Sequence, residues 1–278
     1  MEAPGATGLI CNCFVQPLLG RKRDKMNKHH QTSFVRIESK ERILSIILDR
    51  PEKRNAITGA MYATMADAIN GANTDDSVHV IFIRGSRTCF TAGNDLNEFK
   101  AFKSDNIPRP LNPFLQAISR SKKPIVAAVS GPAVGIGTTM LLHCDLVYAG
   151  ENATFSMPFV NLGLCPEGAS SLLLPLLAGH QQAAELLMLG EPFSARKAHT
   201  IGLVNQIISE EDLFGQAFEQ AKKLASKPLT SLCLTKKLLK QASADLVRKT
   251  LKREHGHFVE QLGSNEAKEA FKAFFQKG

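Results

Sequence analysis

The chain has 278 residues, of which 44% are apolar, and a formal net charge of +8. This length allows one large hydrophobic core or two modest ones, and the composition is that of an ordinary soluble globular protein. The apolar runs are much shorter than the roughly 20 residues of a membrane-spanning helix, so we expect no membrane span.

Residues 1–27 come first in the chain. Their apolar stretch precedes the basic cluster at 21–23, which reverses the order found in a secretory signal. The alternatives are a loose arm, a weak organelle presequence, and translation from an upstream start with Met26 as the working one. We favour the loose arm and expect it to be disordered.

Strands and helices alternate from residue 34 onward. Alternating apolar residues at 34–38 and 42–49 predict a β-hairpin, and the next amphipathic stretch predicts a helix over Gly59–Ala72. Further strands are predicted at 78–84, 124–129, 145–149, 153–155 and 203–208, and further helices near 111–121, 135–143 and 170–190. After residue 210 only helices are indicated. This order predicts an α/β core over 28–209 and a helical C-terminal segment over 210–278.

The positive charge is concentrated late in the chain, with many lysines between 222 and 252. Such a surplus suits an anionic partner such as nucleic acid, a membrane surface or a phosphorylated cofactor, but we favour the plainer explanation that these lysines are the solvated faces of amphipathic helices. Because no aromatic residues alternate with the lysines and no nucleic-acid motif is present, we expect no nucleic-acid partner.

The cysteines and histidines indicate neither disulfides nor a metal. The six cysteines include no Cys-x-x-Cys pair, and three lie in apolar segments, where a free cysteine packs as a small hydrophobic residue. A reducing, cytoplasmic setting is therefore expected. The histidines do not have the spacing of metal ligands, so no metal site is expected.

Glu167 is the single charged residue between Glu151 and Glu185, inside a long apolar stretch. A carboxylate there is paired, reaches solvent, or lies in a dry pocket that raises its pKa toward neutrality, as a general base requires. The plain alternative is an acidic residue in the first turn of a helix that begins at Pro166-Glu167. We favour the general base.

Two strand-to-loop junctions contain small residues. After the strand at 78–84 comes Cys89-Phe-Thr-Ala-Gly-Asn-Asp-Leu96, and after the strand at 124–129 comes Ser130-Gly-Pro-Ala-Val-Gly-Ile-Gly-Thr-Thr139. Such turns let backbone N–H groups approach a ligand, and two converging N–H groups form an oxyanion hole. The glycine spacing fits neither a dinucleotide fingerprint nor a phosphate loop. The alternative is that the glycines only allow a helix to pack on the sheet.

Together with Arg50-Pro-Glu-Lys-Arg-Asn-Ala56, these motifs resemble the crotonase (enoyl-CoA hydratase/isomerase) superfamily over residues 34–277. The resemblance implies a spiral of repeated ββα units with a helical C-terminal segment that takes part in trimerisation and covers CoA. It also implies an acyl-CoA substrate, a homotrimer or homohexamer, and no tightly bound cofactor, since CoA is part of the substrate.

The resemblance assigns the oxyanion donors to the backbone N–H groups of Ala92 and Ile136. Hydratases of the family use two glutamates, but their positions hold Thr139 and Phe159 here. Residues 161–171 and Gly93-Asn94-Asp95 are similar to the Δ3,Δ2-enoyl-CoA isomerase branch. Its single base matches Glu167, and Asn94 is expected to orient that base or the substrate.

A CoA site is also implied by the resemblance. Its residues in this chain are Lys53, Arg54, Asp95, Leu96, Phe274 and Lys277. The first two would meet phosphate or adenine, the loop would supply backbone contacts, and the terminal helix would close the site, often across a subunit boundary. The plain alternatives are a solvated turn for Lys53 and Arg54 and ordinary helix packing for Phe274.

The sequence thus predicts a Δ3,Δ2-enoyl-CoA isomerase of fatty acid β-oxidation, which moves a double bond of an unsaturated fatty acyl-CoA from C3 to C2. Two alternatives stay open. One is an enoyl-CoA hydratase or another enzyme that works through a thioester enolate, since one oxyanion hole serves many reactions. The other is a non-catalytic member of the family that binds acyl-CoA or RNA.

Overall fold

The computed structural model describes residues 1, 34–100 and 111–277, with the side chains of residues 99, 100, 111, 112 and 277 left out. Residues 32–278 form one compact unit. The predicted disordered arm at 1–27 lies outside the described residues, except for residue 1. The predicted division at residue 209 therefore concerns two segments of the same compact unit.

The described residues contain nine strands in two sheets. They are β1 (Val35–Lys40), β2 (Ile43–Leu48), β3 (Val80–Arg84), β4 (Ile125–Val129), β5 (Pro132–Val134), β6 (Leu146–Gly150), β7 (Thr154–Ser156), β8 (Phe193–Ser194) and β9 (Gln206–Ile208). The larger sheet has the order β1-β2-β3-β4-β6-β9, antiparallel between β1 and β2 and parallel between all other neighbours. The smaller sheet has the order β5-β7-β8.

Eleven α-helices lie in the described part of the chain. They are α1 (Gly59–Ala72), α2 (Leu96–Lys100), α3 (Leu111–Ser119), α4 (Ile136–Thr139), α5 (Ser170–Ala178), α6 (His180–Ala184), α7 (Ala195–Thr200), α8 (Leu213–Ala225), α9 (Leu229–Gln241), α10 (Ala244–Leu262) and α11 (Asn265–Lys277). Short 3₁₀ turns cover Pro51–Lys53, Met140–His143 and Val160–Leu162, and a π-helix covers Glu185–Leu189. None of the helices described is long and apolar enough to cross a membrane.

The central strands of the larger sheet are buried on both faces. In β3, Ile81 and Ile83 belong to the main core, whereas Val80 and Phe82 pack in a second cluster with residues of α8. This alternation is the two-residue period of a strand, and burial on both faces is typical of a parallel sheet covered by helices. It explains why the parallel strands appear as nearly uninterrupted apolar runs.

The predicted α/β class with a helical C-terminal segment is confirmed. The predicted helix at 170–190 is wrong as one element, because Gly179 has φ +82° and separates α5 from α6, after which the chain continues as the π-helix. The short elements β8 and α7 were not predicted from the sequence. Two and six residues are too few to display a period.

The sheet order brings the two small-residue loops together. β3 and β4 are parallel neighbours, so the loops that follow them leave the same edge of the sheet. The N–H groups of Phe90 and Thr91 both donate to the carbonyl of Pro132, at 3.1 and 3.0 Å. The two loops therefore lie side by side, as an oxyanion hole requires.

Candidate active site

The base predicted from the sequence, Glu167, lies in the turn that leads into α5. Its side chain is 5% exposed. The hydroxyl of Thr139, in α4, donates to its Oε1 at 3.0 Å. Burial raises the pKa of Glu167 to about 8, although the hydrogen bond from Thr139 lowers it, and the charge of Glu254 raises it further. A carboxylate in these surroundings has the basicity that proton abstraction near neutral pH requires.

The turn that presents Glu167 has an unusual backbone. Gly168 and Ala169 have φ +72° and +58°, so two consecutive residues are left-handed and one of them has a Cβ. An L-residue in this conformation is strained by roughly 1–2 kcal/mol. A turn of this kind persists only when the surrounding structure holds it in place.

Three side chains hold the turn. Glu254 of α10 accepts the N–H groups of Ala169 and Ser171 at 2.6 and 3.0 Å. The Nε2 of His143 lies 2.7 Å from the carbonyl of Gly168. Burial lowers the pKa of His143 to about 4, so the ring is neutral at pH 7 and Nε2 must carry the proton to donate to a carbonyl. The hydroxyl of Ser170 donates to the carbonyl of Glu167 at 2.7 Å.

The predicted oxyanion donors differ in their hydrogen bonding. Ile136 is the first residue of α4, where a backbone N–H has no partner within the helix, and among the described residues no acceptor receives it. The N–H of Ala92 instead donates to the carbonyl of Arg54 at 2.9 Å. The group on Ile136 is thus available to a ligand, whereas use of Ala92 requires its present bond to be shared or exchanged. Its role stays a prediction.

The loop that contains Ala92 is fixed by buried side chains of the preceding segment. Asn55, which is fully buried, donates to the carbonyls of Cys89 and Phe90 at 2.9 and 3.1 Å and accepts the N–H of Arg50 at 2.8 Å. The guanidinium of Arg50 pairs with Asp95 at 2.7 Å. Burial opposes ionisation of Asp95, but hydrogen bonds from Arg50 and Asn97 hold its pKa below the usual value. The ionised carboxylate of Asp95 therefore stabilises the loop through its ion pair with Arg50.

A tyrosine joins this loop to the base. The hydroxyl of Tyr62, on the buried face of α1, donates to Oδ1 of Asn94 at 2.5 Å. Burial raises the pKa of Tyr62 well above its ordinary value, and the charges of Glu167 and Glu98 raise it further. Tyr62 therefore keeps its proton and acts as a donor. The charge of Glu167 acts on Tyr62, so this tyrosine lies within electrostatic reach of the base. The role expected for Asn94, its hydrogen-bond partner, stays a prediction.

The two positions where hydratases carry glutamates both lie at this site. Thr139 contacts Glu167, as described above. Phe159 is 4% exposed, and its Cε1 lies 3.8 Å from the point where a side chain at Gly135 would begin. Glu167 is therefore the acidic residue of this set, with a hydroxyl and an aromatic ring in place of two carboxyls.

The predicted CoA residues lie on separate elements. Lys53 and Arg54 are exposed at the end of the 3₁₀ turn, and Leu96 is half-buried at the start of α2. Phe274 is 53% exposed on α11 and packs edge to face with Phe275. The side chain of Lys277 lies outside the description. Their role in CoA binding stays a prediction.

Sequence patterns missed three residues of the site. Tyr62 and His143 lie within apolar helical stretches and carry no motif. Glu254 does leave a signal, because it occupies the apolar stripe of α10 formed by Val247, Leu251, Phe258 and Leu262. An acidic residue on a buried helix face needs a partner, and this pattern could have identified it. In the described part of the chain no three His, Cys, Asp or Glu residues are grouped as metal ligands.

The chain is similar to the proteins of a known enzyme family. The profile of the family described as enoyl-CoA hydratase/isomerase matches residues 38–278. Enoyl-CoA delta isomerase 2 of Rattus norvegicus is 34% identical over 220 residues, covering 77% of this chain but 56% of the rat protein. The chain thus spans little more than half of that relative.

A second relative bears the name of a different reaction. The 2,3-dehydroadipyl-CoA hydratase of Escherichia coli is 32% identical over 246 residues, which cover 87% of this chain and 95% of that protein. Relatives at similar identity are thus named as an isomerase and as a hydratase. Identity alone leaves the reaction of this chain open.

A solved structure has the same architecture. The enoyl-CoA hydratase/isomerase from Pseudoalteromonas atlantica superposes with a TM-score of 0.84 at 40% identity, covering 88% of this chain and 98% of that one. The predicted crotonase-like spiral is thereby confirmed.

Proposed function

Because the chain belongs to the enoyl-CoA hydratase/isomerase family, we propose that it is a Δ3,Δ2-enoyl-CoA isomerase acting on unsaturated fatty acyl-CoA. The observation that carries this proposal is the set of side chains around α4. One buried carboxyl, Glu167, receives a hydrogen bond from Thr139, while Phe159 fills the other position where hydratases carry an acid. A single base suits a reaction that takes and returns one proton.

The reaction balances with this one residue. The carboxylate of Glu167 takes a proton from C2 of the 3-enoyl thioester, and the electron pair spreads over the thioester carbonyl and the C3–C4 double bond. Glu167, now protonated, returns the same proton to C4, which leaves the double bond between C2 and C3. No water or second acid is consumed, and a base with a pKa of about 8 can both accept and release the proton.

The dienolate needs hydrogen-bond donors at the thioester oxygen. The N–H of Ile136, at the start of α4, is one donor, and we assign the second to Ala92. A donor of this kind typically contributes about 2.7–4 kcal/mol to transition-state stabilisation. Thr139, the last residue of α4, holds Glu167 close to this short helix through its hydrogen bond.

Hydration fits the site less well. Adding water to a 2-enoyl-CoA requires a carboxylate to activate water and an acid to protonate the other carbon. Glu254, the nearest further glutamate by its electrostatic effect, uses both oxygens to accept the N–H groups of Ala169 and Ser171. Both of its oxygens are thus engaged with the backbone of the turn that carries Glu167.

The remaining assignments complete this proposal. The exposed cations Lys53 and Arg54 would receive the phosphates or adenine of CoA, and Phe274 and Lys277 would cover it in a homotrimer or homohexamer. The enzyme would serve the β-oxidation of unsaturated fatty acids. The described thiols of Cys89, Cys144, Cys165 and Cys233 are free, which suits a reducing compartment such as the cytoplasm.

The test supplies a 3-enoyl-CoA and follows formation of the conjugated 2-enoyl product by absorbance. Glu167→Gln keeps the shape but removes the base, so we expect kcat to fall by roughly 10²–10⁴-fold. Glu185→Gln, at an exposed glutamate, is the matched control and should leave kcat unchanged. An unimpaired Glu167→Gln variant would contradict the proposal, and wild-type incorporation of water into 2-enoyl-CoA without isomerisation would favour a hydratase.

A further inference from the structure

Glu254 forms a buried link between the helical C-terminal segment and the turn of the base. Its side chain is 6% exposed, although it lies 83 positions beyond Ser171 along the chain. Oε2 accepts the N–H of Ala169 at 2.6 Å, and Oε1 accepts the N–H of Ser171 at 3.0 Å. Both bonds involve N–H groups at the start of α5, which that helix cannot satisfy itself.

The need for this distant cap follows from the local sequence. The residue that precedes α5 is Ala169, whose methyl group cannot accept a hydrogen bond. A serine, threonine or aspartate in that place would cap the helix locally. Gly168 and Ala169 both have left-handed backbone conformations, which are strained for an alanine. The turn therefore depends on hydrogen bonds from other parts of the protein to keep this conformation.

Small movements of the turn would reach the base directly. Glu167 immediately precedes the two left-handed residues, and a Cβ at Gly168 would lie 2.9 Å from Oγ1 of Thr139. The turn thus packs tightly against the residue that donates to the carboxylate of Glu167. If the N–H groups of Ala169 and Ser171 lost their acceptor, the distance between Glu167 and Thr139 would be free to change.

Within residues 34–100 and 111–277, few titratable groups act on the two carboxyls. Glu167 faces Glu254, Tyr62 and Cys165, and Glu254 also faces Arg253. Burial raises the pKa of Glu254, against the opposing effect of its hydrogen bonds and of Arg253. Burial and the bond from Thr139 are the larger influences on the pKa of Glu167, and Glu254 raises it further.

We propose that Glu254 is a positioning residue, which fixes the turn at 167–171 so that the carboxyl of Glu167 stays in register with Thr139 and the substrate. It touches neither the substrate nor the transferred proton, and it acts through the backbone of Ala169 and Ser171. This inference rests on the proposed function. It makes α10 part of the catalytic apparatus, beyond any role in covering CoA.

The first test is Glu254→Gln. Glutamine offers one carbonyl oxygen where two N–H groups need acceptors, and it removes the negative charge. We expect kcat for 3-enoyl-CoA to fall roughly tenfold, equivalent to the loss of one buried hydrogen bond, with KM changed less than about twofold. The acidic limb of the kcat–pH profile should move to lower pH, because the nearby charge that raises the pKa of Glu167 is gone.

Two further variants separate positioning from plain stability. Glu260→Gln makes the same change at an exposed site on α10 and should leave kcat and its pH profile unchanged. Glu254→Asp keeps the charge but withdraws the oxygens by one methylene, so kcat should fall while the acidic limb stays near that of the wild type. If Glu254→Gln fails to fold, Glu254→Asp still tests the positioning role, since a wild-type kcat for Glu254→Asp would overturn the inference.

Failure of the proposed function has a different signature. A wild-type protein without turnover of 3-enoyl-CoA would contradict the isomerase assignment. A carbon-NMR titration of the Glu167 carboxyl, assigned with Glu167→Gln, needs no substrate. A folded Glu254→Gln protein in which Glu167 titrates as in the wild type would overturn the role of Glu254 alone.

Discussion

The two sides of the candidate site are built in different ways. The oxyanion side consists of neighbouring loops joined mostly through backbone atoms, with the buried amide of Asn55 and the Arg50–Asp95 ion pair between them. The base side is one strained turn, held by side chains from other elements, among them His143 and Glu254. The first side is specified by a short motif, whereas the second depends on the whole fold.

This difference determines what each side tolerates. On the oxyanion side the chemistry is supplied by backbone N–H groups, so a substitution matters through the scaffold that aims them. On the base side the carboxyl itself reacts, and its pKa depends on burial, on Thr139 and on Glu254. We therefore expect scaffold variants to lower stability and base-side variants to change pH dependence.

The largest effect on stability is expected on the oxyanion side, from Asn55→Ala. The change leaves the buried carbonyl of Phe90 and the N–H of Arg50 without their partner. Each buried unpaired group costs roughly 1–3 kcal/mol, so the free energy of unfolding should fall by about 3 kcal/mol, with at least a tenfold loss of kcat. Urea denaturation and the isomerase assay measure the two effects.

The control for that prediction is Asn152→Ala, at an exposed asparagine. Its free energy of unfolding should stay within about 0.5 kcal/mol of the wild type. A protein with Asn55→Ala that keeps both stability and kcat would mean that the backbone bonds alone hold the loops.

Much of the oxyanion side was predictable from the sequence because its parts are close in sequence or lie in recognisable loops. The runs 50–56, 89–96 and 130–139 carry the turn residues, and parallel strand order places two of them together. The hydrogen bond from Ala92 to Arg54 was not predictable, because it depends on the left-handed backbone of Arg54, a residue type that does not indicate that conformation.

The base side was predictable only at its reacting residue. Glu167 stood out because it interrupts an apolar stretch. Its supports come from α4, the turn after α4, and α10, and no local pattern connects these elements. Long-range contacts of this kind depend on tertiary packing. The hydrophobic periodicity of a single helix does not show which other element that helix will contact.

The next prediction measures the cost of burying the base. The pKa of Glu167 is about 8 in the folded protein against an ordinary value of 4.5. Between these values the folded state holds a proton that the unfolded state has released, so stability falls as pH rises and levels off above pH 8. From pH 6 to 8 the wild type should lose about 2–3 kcal/mol more than Glu167→Gln.

Urea midpoints at pH 6, 7, 8 and 9 test this difference. Glu185→Gln, which keeps the buried carboxyl and changes an exposed one, should follow the wild type at every pH. Parallel curves for the wild type and Glu167→Gln would mean that Glu167 titrates normally and that its surroundings are wet.

A smaller effect is expected from Thr139→Val, which replaces the hydroxyl by a methyl group of similar size. Loss of the bond to Oε1 removes an influence that lowers the pKa of Glu167, so the acidic limb of the kcat–pH profile should move to higher pH. At pH 7.5 we expect kcat to fall about fivefold, because the lost hydrogen bond contributes roughly 1 kcal/mol. This shift is opposite in sign to that expected for Glu254→Gln.

The serine variant supplies the control for Thr139. Thr139→Ser keeps the hydroxyl and should restore the position of the acidic limb, even if the lost methyl group lowers stability. A valine variant whose profile matches that of the wild type would mean that the hydroxyl does not bond to the reactive form of Glu167.

The smallest effect is expected where the two sides meet, at the bond from Tyr62 to Asn94. Tyr62→Phe keeps the packing against Phe114 and leaves the amide of Asn94 free to rotate, so we expect kcat to fall about threefold with KM nearly unchanged. The chain has two tyrosines, and Tyr148→Phe on β6 is the matched control, since Tyr148 lies on the opposite face of the sheet in the cluster under α8. Equal kcat values for the two variants would mean that the two sides of the site are coupled only through the backbone. A loss of kcat confined to Tyr62→Phe would mean that Tyr62 orients the side chain of Asn94, although the sequence motif of Asn94 belongs to the oxyanion side.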